Sequence, residues 1–174
     1  MEWPGLLEEV EEHPQPERMS KPLNITWDGQ SPPTDNARKH LPELVADYFA
    51  RGRELLSRNP KPAELHALRL ATKRLRYTLE LFRPCYGPGL GIRIKALREM
   101  QQLLGEINDT VAAERTLEAA LNGKSPQRTR IQSFLQRQGE KKAAGFRKQW
   151  GEVFDAPGQE RWWTGYLARR SRKR

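Results

Sequence analysis

An all-helical fold, an antiparallel four-helix bundle with a short C-terminal helix, follows from three observations. Apolar residues recur every three to four positions through four long stretches. Prolines and glycines fall between those stretches, and no stretch alternates apolar with polar residues as a half-buried strand does. A chain of 174 residues is one domain, and folding at this size buries roughly two-thirds of the unfolded surface, enough for a true core.

Residues 1–36 hold eight acids, two bases and six of the thirteen prolines, with turn signals at Asp28-Gly29 and Pro32-Pro33. They read as an acidic, proline-rich flexible extension in which Trp3 and Trp27 are candidates for docking. A first helix is expected from Asn36 or Leu41 to Ser57, with Leu41, Leu44, Val45, Tyr48, Phe49, Leu55 and Leu56 on one face and Pro42 near its start. Asn59-Pro60-Lys61-Pro62 makes a turn, and a second helix runs on to about Arg83, where Pro84 and Gly87-Pro88-Gly89 break the chain.

The third helix spans about Leu90 to Leu121 on a seam of Leu97, Met100, Leu103, Leu104, Ile107 and Val111, closed by Asn122-Gly123 as a C-cap. The fourth is expected from Pro126 to Phe154, burying Ile131, Phe134, Leu135, Phe146 and Trp150. Asp155-Ala156-Pro157-Gly158 ends it. A short aromatic segment with Trp162, Trp163, Tyr166 and Leu167 follows, and residues 169–174 form a basic tail. The helical domain is therefore placed at 37–168.

Charge is unevenly spread. The chain carries +9, its first 36 residues carry −6, and the remainder carries +15. Such an excess favours a polyanion: nucleic acid, an anionic surface or a phosphate polymer. The lone Cys85 allows no intrachain disulfide and fits a reducing cytoplasm. No apolar run approaches the roughly 20 residues of a membrane span, and no basic, apolar signal sequence opens the chain.

The positive charge has a pattern. In the second helix His66, Arg69, Lys73, Arg76 and Tyr77 share one side, while Leu68, Ala71, Thr72, Leu75, Leu79 and Phe82 line the other. A solubility face mixes acids with bases at four-residue spacing. Here four basic residues and a histidine precede Glu80, so the ladder calls for an external anion. A second basic row, Arg130, Arg137, Lys141 and Lys148, lies along the fourth helix, interrupted by Glu140.

Catalytic patterns are missing. His13, His40 and His66 are scattered, no His-Glu-x-x-His or cysteine cluster has metal-ligand spacing, and no glycine-rich phosphate loop with its lysine occurs. Neither metal nor cofactor is expected, and the chain reads as a binding protein, not an enzyme.

Two motifs carry a family resemblance: His66-x-x-Arg69-x-x-x-Lys73-Arg74-Leu75-Arg76-Tyr77, and Leu97-x6-Leu104-Gly105-x-x-Asn108-Asp109. Together they resemble the CHAD family, the conserved histidine alpha-helical domain, over about residues 37–163. The resemblance implies an all-helical domain that binds inorganic polyphosphate on a basic surface without acting on it chemically. Such domains usually contain two four-helix units with facing basic helices. Only one His-x-x-Arg motif is present here, so the chain reads either as a half-domain that pairs with itself to rebuild the cationic channel or as a single bundle with an open basic face, and the homodimer is the favoured expectation. The Glu-x-Glu-x-Lys motif of the triphosphate tunnel enzymes that often accompany the family is absent.

Carried over residue by residue, the resemblance places His66, Arg69, Lys73 and Arg76 on the polyphosphate surface, with Arg74 on its shoulder. Lys95 and Arg98, beside Gln102, extend the surface from the third helix, and Arg130, Arg137 and Lys141 form a second group. Arginine offers a fork for paired phosphate oxygens, and lysine a compact charge suited to a sliding polymer. His66 is read either as a donor to phosphate, with binding that tightens as pH falls, or as a neutral histidine bonded to a neighbouring helix. Asp109 is expected to pair with Arg69 or Arg76, and Asn108 to hydrogen-bond in helix packing.

The leading alternative is nucleic-acid binding through Trp162, Trp163, Tyr166 and the terminal arginines. A third class is an interaction module that recruits a partner to polyphosphate granules. The acidic segment Glu8 to Glu17 is expected to fold back weakly on the basic face, within a Debye length of about 8 Å.

Overall fold

The computed structural model describes residues 23–120 and 125–169. Five helices follow in order: α1 (Pro33–Leu56), α2 (Pro62–Leu81), α3 (Gly89–Ala120), α4 (Pro126–Gln149) and α5 (Gln159–Ala168). There is no strand among the described residues. The fold class expected from the apolar periodicity is therefore all-helical, as observed.

α1 starts earlier than expected. Pro33 occupies its first turn, where a missing N–H costs nothing, and Asp35 supplies a negative charge to the same turn. Pro42 consequently lies inside the helix. Ahead of α1, Asn36 accepts the Asp28 N–H at 2.9 Å and donates back to the Asp28 carbonyl at 2.7 Å. Trp27 stacks on Phe82 and meets His40 edge-on, so chain expected to be flexible up to residue 36 is packed from Trp27 onward. Trp3, the Glu8 to Glu17 segment, the Asn122-Gly123 cap and the tail beyond Arg169 lie outside the described residues.

α2 is entered through a capping box: the Lys61 N–H donates to Glu64 at 2.7 Å, and Arg58 pairs with the other Glu64 oxygen at 2.7 Å. Its buried seam is Leu65, Leu68, Thr72, Leu75 and Leu79. The Tyr48 hydroxyl donates to Thr72 Oγ1 at 2.8 Å, which passes its own proton to the Leu68 carbonyl. Leu90, Ile94, Leu97, Met100, Leu104 and Ile107 complete the aliphatic core from α3.

The other half of the core is aromatic. Tyr48 and Phe49 of α1 meet Trp150, Phe154 and Trp163, and Phe146 packs against Trp150. α4 ends in one turn of π-helix, Trp150–Phe154, and Trp150 lies flat against Gly52, where a Cβ would overlap its ring. Gly158, in the left-handed region at φ 87°, then reverses the chain into α5. Arg53 clamps this corner, pairing with Asp155 at 2.5 Å and Glu160 at 2.6 Å.

Two apolar residues expected in the core are not there. Ile131 is 44% and Phe134 54% exposed, and Leu135 is only half-buried. The reason is length. α3, at 32 residues, spans about 48 Å, whereas its neighbour α2, at 20 residues, spans about 30 Å. Beyond Thr110, α3 and the start of α4 pack mainly on each other among the described residues, which leaves the outer faces of that hairpin exposed there.

A candidate cationic seam between two helices

α2 and α3 pack along a polar seam whose register is set by four contacts. His66 meets Asn108, Nδ1 to Oδ1 at 2.8 Å. Arg69 passes over Gly105, 3.8 Å from where a Cβ would stand. Arg76 Nε donates to Gln101 at 2.9 Å, and Arg98 donates to Glu80 at 2.9 Å. As numbers rise on α2 they fall on α3, so the two helices run in opposite directions and the motif residues of each face those of the other.

The cations in this seam fall into two kinds. Arg76 and Arg98 are held: both donate to the same Glu80 oxygen, Arg76 at 2.7 Å. Burial raises the Glu80 pKa, but the hydrogen bonds from Arg98 and Arg76 outweigh it and hold the carboxyl below the usual glutamate range. Arg69 and Lys73 have no acid partner among the described residues. Arg69 is half-buried, makes no ion pair among the described residues, and its Nε finds no acceptor. Lys73 is exposed, and both it and Arg76 approach the Tyr77 ring, at 5.8 Å and 4.1 Å to the centroid. The negative face of the Tyr77 ring thus attracts both cations.

The remaining expected residues sit around this row. Lys95 is exposed one turn before Arg98 on α3, and Arg74 is exposed on the outer face of α2, turned away from α3. Arg130, Arg137 and Lys141 are exposed on α4, with no bond joining them to the seam. The inward-facing base of α4 is Lys142, which donates to the Glu106 carbonyl at 3.2 Å and Thr110 Oγ1 at 3.1 Å. Asp109 corrects its expected role: it is exposed and pairs with neither Arg69 nor Arg76. Glu80 takes the arginine instead, since the α2–α3 register brings Gln101, not Asp109, opposite Arg76. Asn108 does bridge the helices, through His66. Gln101 and Glu80 were missed as site residues, although Arg76-x-x-x-Glu80 is the spacing of an intrahelical ion pair.

The family model of the CHAD domain matches residues 2–118, a stretch that contains both α2 and the part of α3 facing it. The chain belongs to the CHAD family. The match opens in the acidic segment and closes near the end of α3, so α4 and α5 lie outside it, whereas the motif resemblance was placed on residues 37–163. No curated protein and no solved structure matches the chain. Among the described residues of this CHAD chain, no helix is long and apolar enough to cross a membrane. No group of three or more metal-ligating side chains gathers there either.

The C-terminal aromatics are occupied. Trp163 is buried in the core. Tyr166 donates its hydroxyl proton to the Gly87 carbonyl at 2.9 Å, and the Trp162 ring carries the Arg93 guanidinium at 3.5 Å. Arg93 itself, 2% exposed, was not anticipated as a core residue.

Proposed function

We propose that the α2–α3 seam binds inorganic polyphosphate, and that it does so without chemistry on the polymer. The observation that carries this reading is the pair Arg69 and Lys73, successive cations one turn apart in a helix seam with no acid paired to them among the described residues. Arg76, Arg98 and Lys95 extend the row in the same direction, and His66 Nε2 stands at its other end. A linear polyanion lying in the seam meets donors along its whole length and needs no base-recognising surface. The acid beside the row, Glu80, is engaged by two arginines and is not free to act as a base. Membership of the CHAD family, whose resemblance implies polyphosphate binding, supports the same reading.

Nucleic-acid binding through the C-terminal aromatics is the competing account. It is disfavoured by the engagement of those rings with Arg93, Gly87 and the core. We read the four long helices as one antiparallel bundle, a single unit of the two-unit architecture. Two copies pair with their seams facing. The apolar row beside the seam, Leu70, Tyr77 and Leu81, the last 74% exposed, is the surface that supports such pairing. Arg130, Arg137 and Lys141 form a secondary basic surface, and the protein acts in the cytoplasm at polyphosphate granules.

The test is a salt-series titration of long-chain polyphosphate against single-stranded RNA and DNA of matched charge, using wild type and Arg69→Ala/Lys73→Ala. Tighter polyphosphate binding, with loss of that preference and a salt slope reduced by about 1.5 in the variant, supports the seam. Equal binding of nucleic acid with an unchanged variant overturns it.

A further inference from the structure

A second positive concavity lies at the opposite edge of α3. It measures about 250 Å3 and is lined by Gly89, Arg93, Arg161, Trp162, Tyr166 and Arg169, with no acid among its lining residues. Clefts that take drug-sized ligands run to roughly 300–1,000 Å3, so this one suits a smaller occupant. We propose that it is a binding site for a small inorganic phosphate anion, pyrophosphate or a single phosphate group, separate from the α2–α3 seam.

The argument starts from Arg93. Its side chain lies on the apolar side of α3, where it is almost wholly removed from water. Nη1 donates to the Gly89 carbonyl at 3.0 Å and Nη2 to the Trp162 carbonyl at 2.6 Å. The guanidinium carbon lies 3.5 Å from the Trp162 ring centroid and 3.9 Å from that of Tyr166. Nε has no acceptor. Carbonyl oxygens and ring faces supply partial negative charge only. A buried arginine is ordinarily matched by a carboxylate, and none pairs with Arg93 among the described residues. Burial accordingly pushes the Arg93 pKa down to about 10.

The rim adds to the imbalance. Arg161 and Arg169 are exposed at the mouth and pair with no acid among the described residues. Although Arg161 also borders the cleft that holds Asp155 and Glu160, three arginines line one small cavity with no acid in its lining. A compact tetrahedral oxyanion answers all three: the rim arginines present free forks to its oxygens, and Arg93 supplies a nearby charge in a desolvated wall. Arg93 already covers one face of Trp162 and Tyr166 is bonded to Gly87, so the ring surface left is the exposed part of Trp162, and the small volume favours an inorganic phosphate over a nucleotide.

The experiment is calorimetric titration of pyrophosphate at ionic strength held constant with chloride. Arg93 variants risk misfolding, so the rim is changed instead, in Arg161→Ala/Arg169→Ala, and compared with the seam variant Arg69→Ala/Lys73→Ala. The rim variant should lose at least about tenfold in pyrophosphate affinity while its melting temperature in chloride stays at the wild-type value. The seam variant should keep pyrophosphate affinity within about twofold. Wild-type affinity in the rim variant, or loss of pyrophosphate binding in the seam variant, overturns the second site. Neither result bears on long-chain polyphosphate at the seam, so the two readings fail separately.

Discussion

His66 and Asn108 meet across the α2–α3 seam with Nδ1 2.8 Å from Oδ1, which puts the ring proton on Nδ1 and leaves Nε2 without a partner among the described residues. The imidazole is thereby held in one orientation by a neighbouring helix while its second nitrogen stays available. The two readings of this histidine, packing group and phosphate ligand, are compatible in the imidazolium, in which Nδ1–H still donates to Asn108 and Nε2–H can donate to a phosphate oxygen.

Replacing Asn108 by alanine removes the acceptor and frees the ring. Urea unfolding should show a loss of about 1 kcal/mol, the net worth of one hydrogen bond of this type. Polyphosphate affinity should fall by a few-fold as Nε2 loses its orientation. Unchanged affinity together with the stability loss would assign His66 to packing alone.

Gly105 lies beneath Arg69, and its missing Cβ leaves ordinary contact distance at 3.8 Å. Gly105→Ala should therefore fold at least as well as wild type, with a gain of up to about 1 kcal/mol from helix propensity, and bind polyphosphate normally. Gly105→Leu fills the space Arg69 crosses and should weaken polyphosphate binding several-fold with little change in melting temperature. Equal binding by both variants would show that the position of Arg69 over α3 is immaterial.

Helix existence and the cationic row were legible because both depend on a period that a sequence displays directly. Leu68, Thr72, Leu75 and Leu79 are buried as their spacing indicates. What a period does not encode is how far the next helix extends, and Ile131 and Phe134 were placed in the core for that reason. It also does not encode register between helices, so a reading of the sequence alone pairs Asp109 with Arg69 or Arg76 and passes over Glu80. Arg93 was legible in principle, since it falls at the spacing of Leu97, Met100 and Leu104. A lone base on an apolar seam needs a special environment, and the aromatic α5 supplies it. Pro32-Pro33 read as a turn, yet a proline at the first helical position signals a helix start equally well.

Gly52 faces the flat of Trp150, where a Cβ would overlap the indole. Alanine normally stabilises a helix interior by up to about 1 kcal/mol over glycine, but overpacking here should cost about 1–3 kcal/mol. Gly52→Ala should therefore lower the melting temperature, and Gly52→Val lower it further or prevent folding. The check is thermal unfolding followed by tryptophan fluorescence. A neutral Gly52→Ala would mean that α4 and α1 are not as closely apposed as this contact requires.

Glu80 links stability, pH and binding. Its folded-state pKa lies below the ordinary glutamate value of about 4.3 because the hydrogen bonds from Arg98 and Arg76 exceed the opposing effect of burial. Glu64 is lowered too, first by the Lys61 N–H hydrogen bond and then by Arg58. For both groups the contribution to stability is complete above the unfolded value and is lost as pH falls through the folded value. Denaturant midpoints should hold from about pH 7 to pH 5 and decline below about pH 4. Protonating Glu80 also releases Arg76 and Arg98 toward the seam. Polyphosphate affinity of the molecules still folded should thus rise as pH drops below about 4.3, over the same range in which stability begins to decline. Glu80→Gln should reproduce the tighter binding at pH 7 and steepen the salt dependence by about one additional phosphate contact. Weaker binding by Glu80→Gln at neutral pH would mean that Glu80 shapes the seam by orienting its arginines, with charge neutralisation secondary.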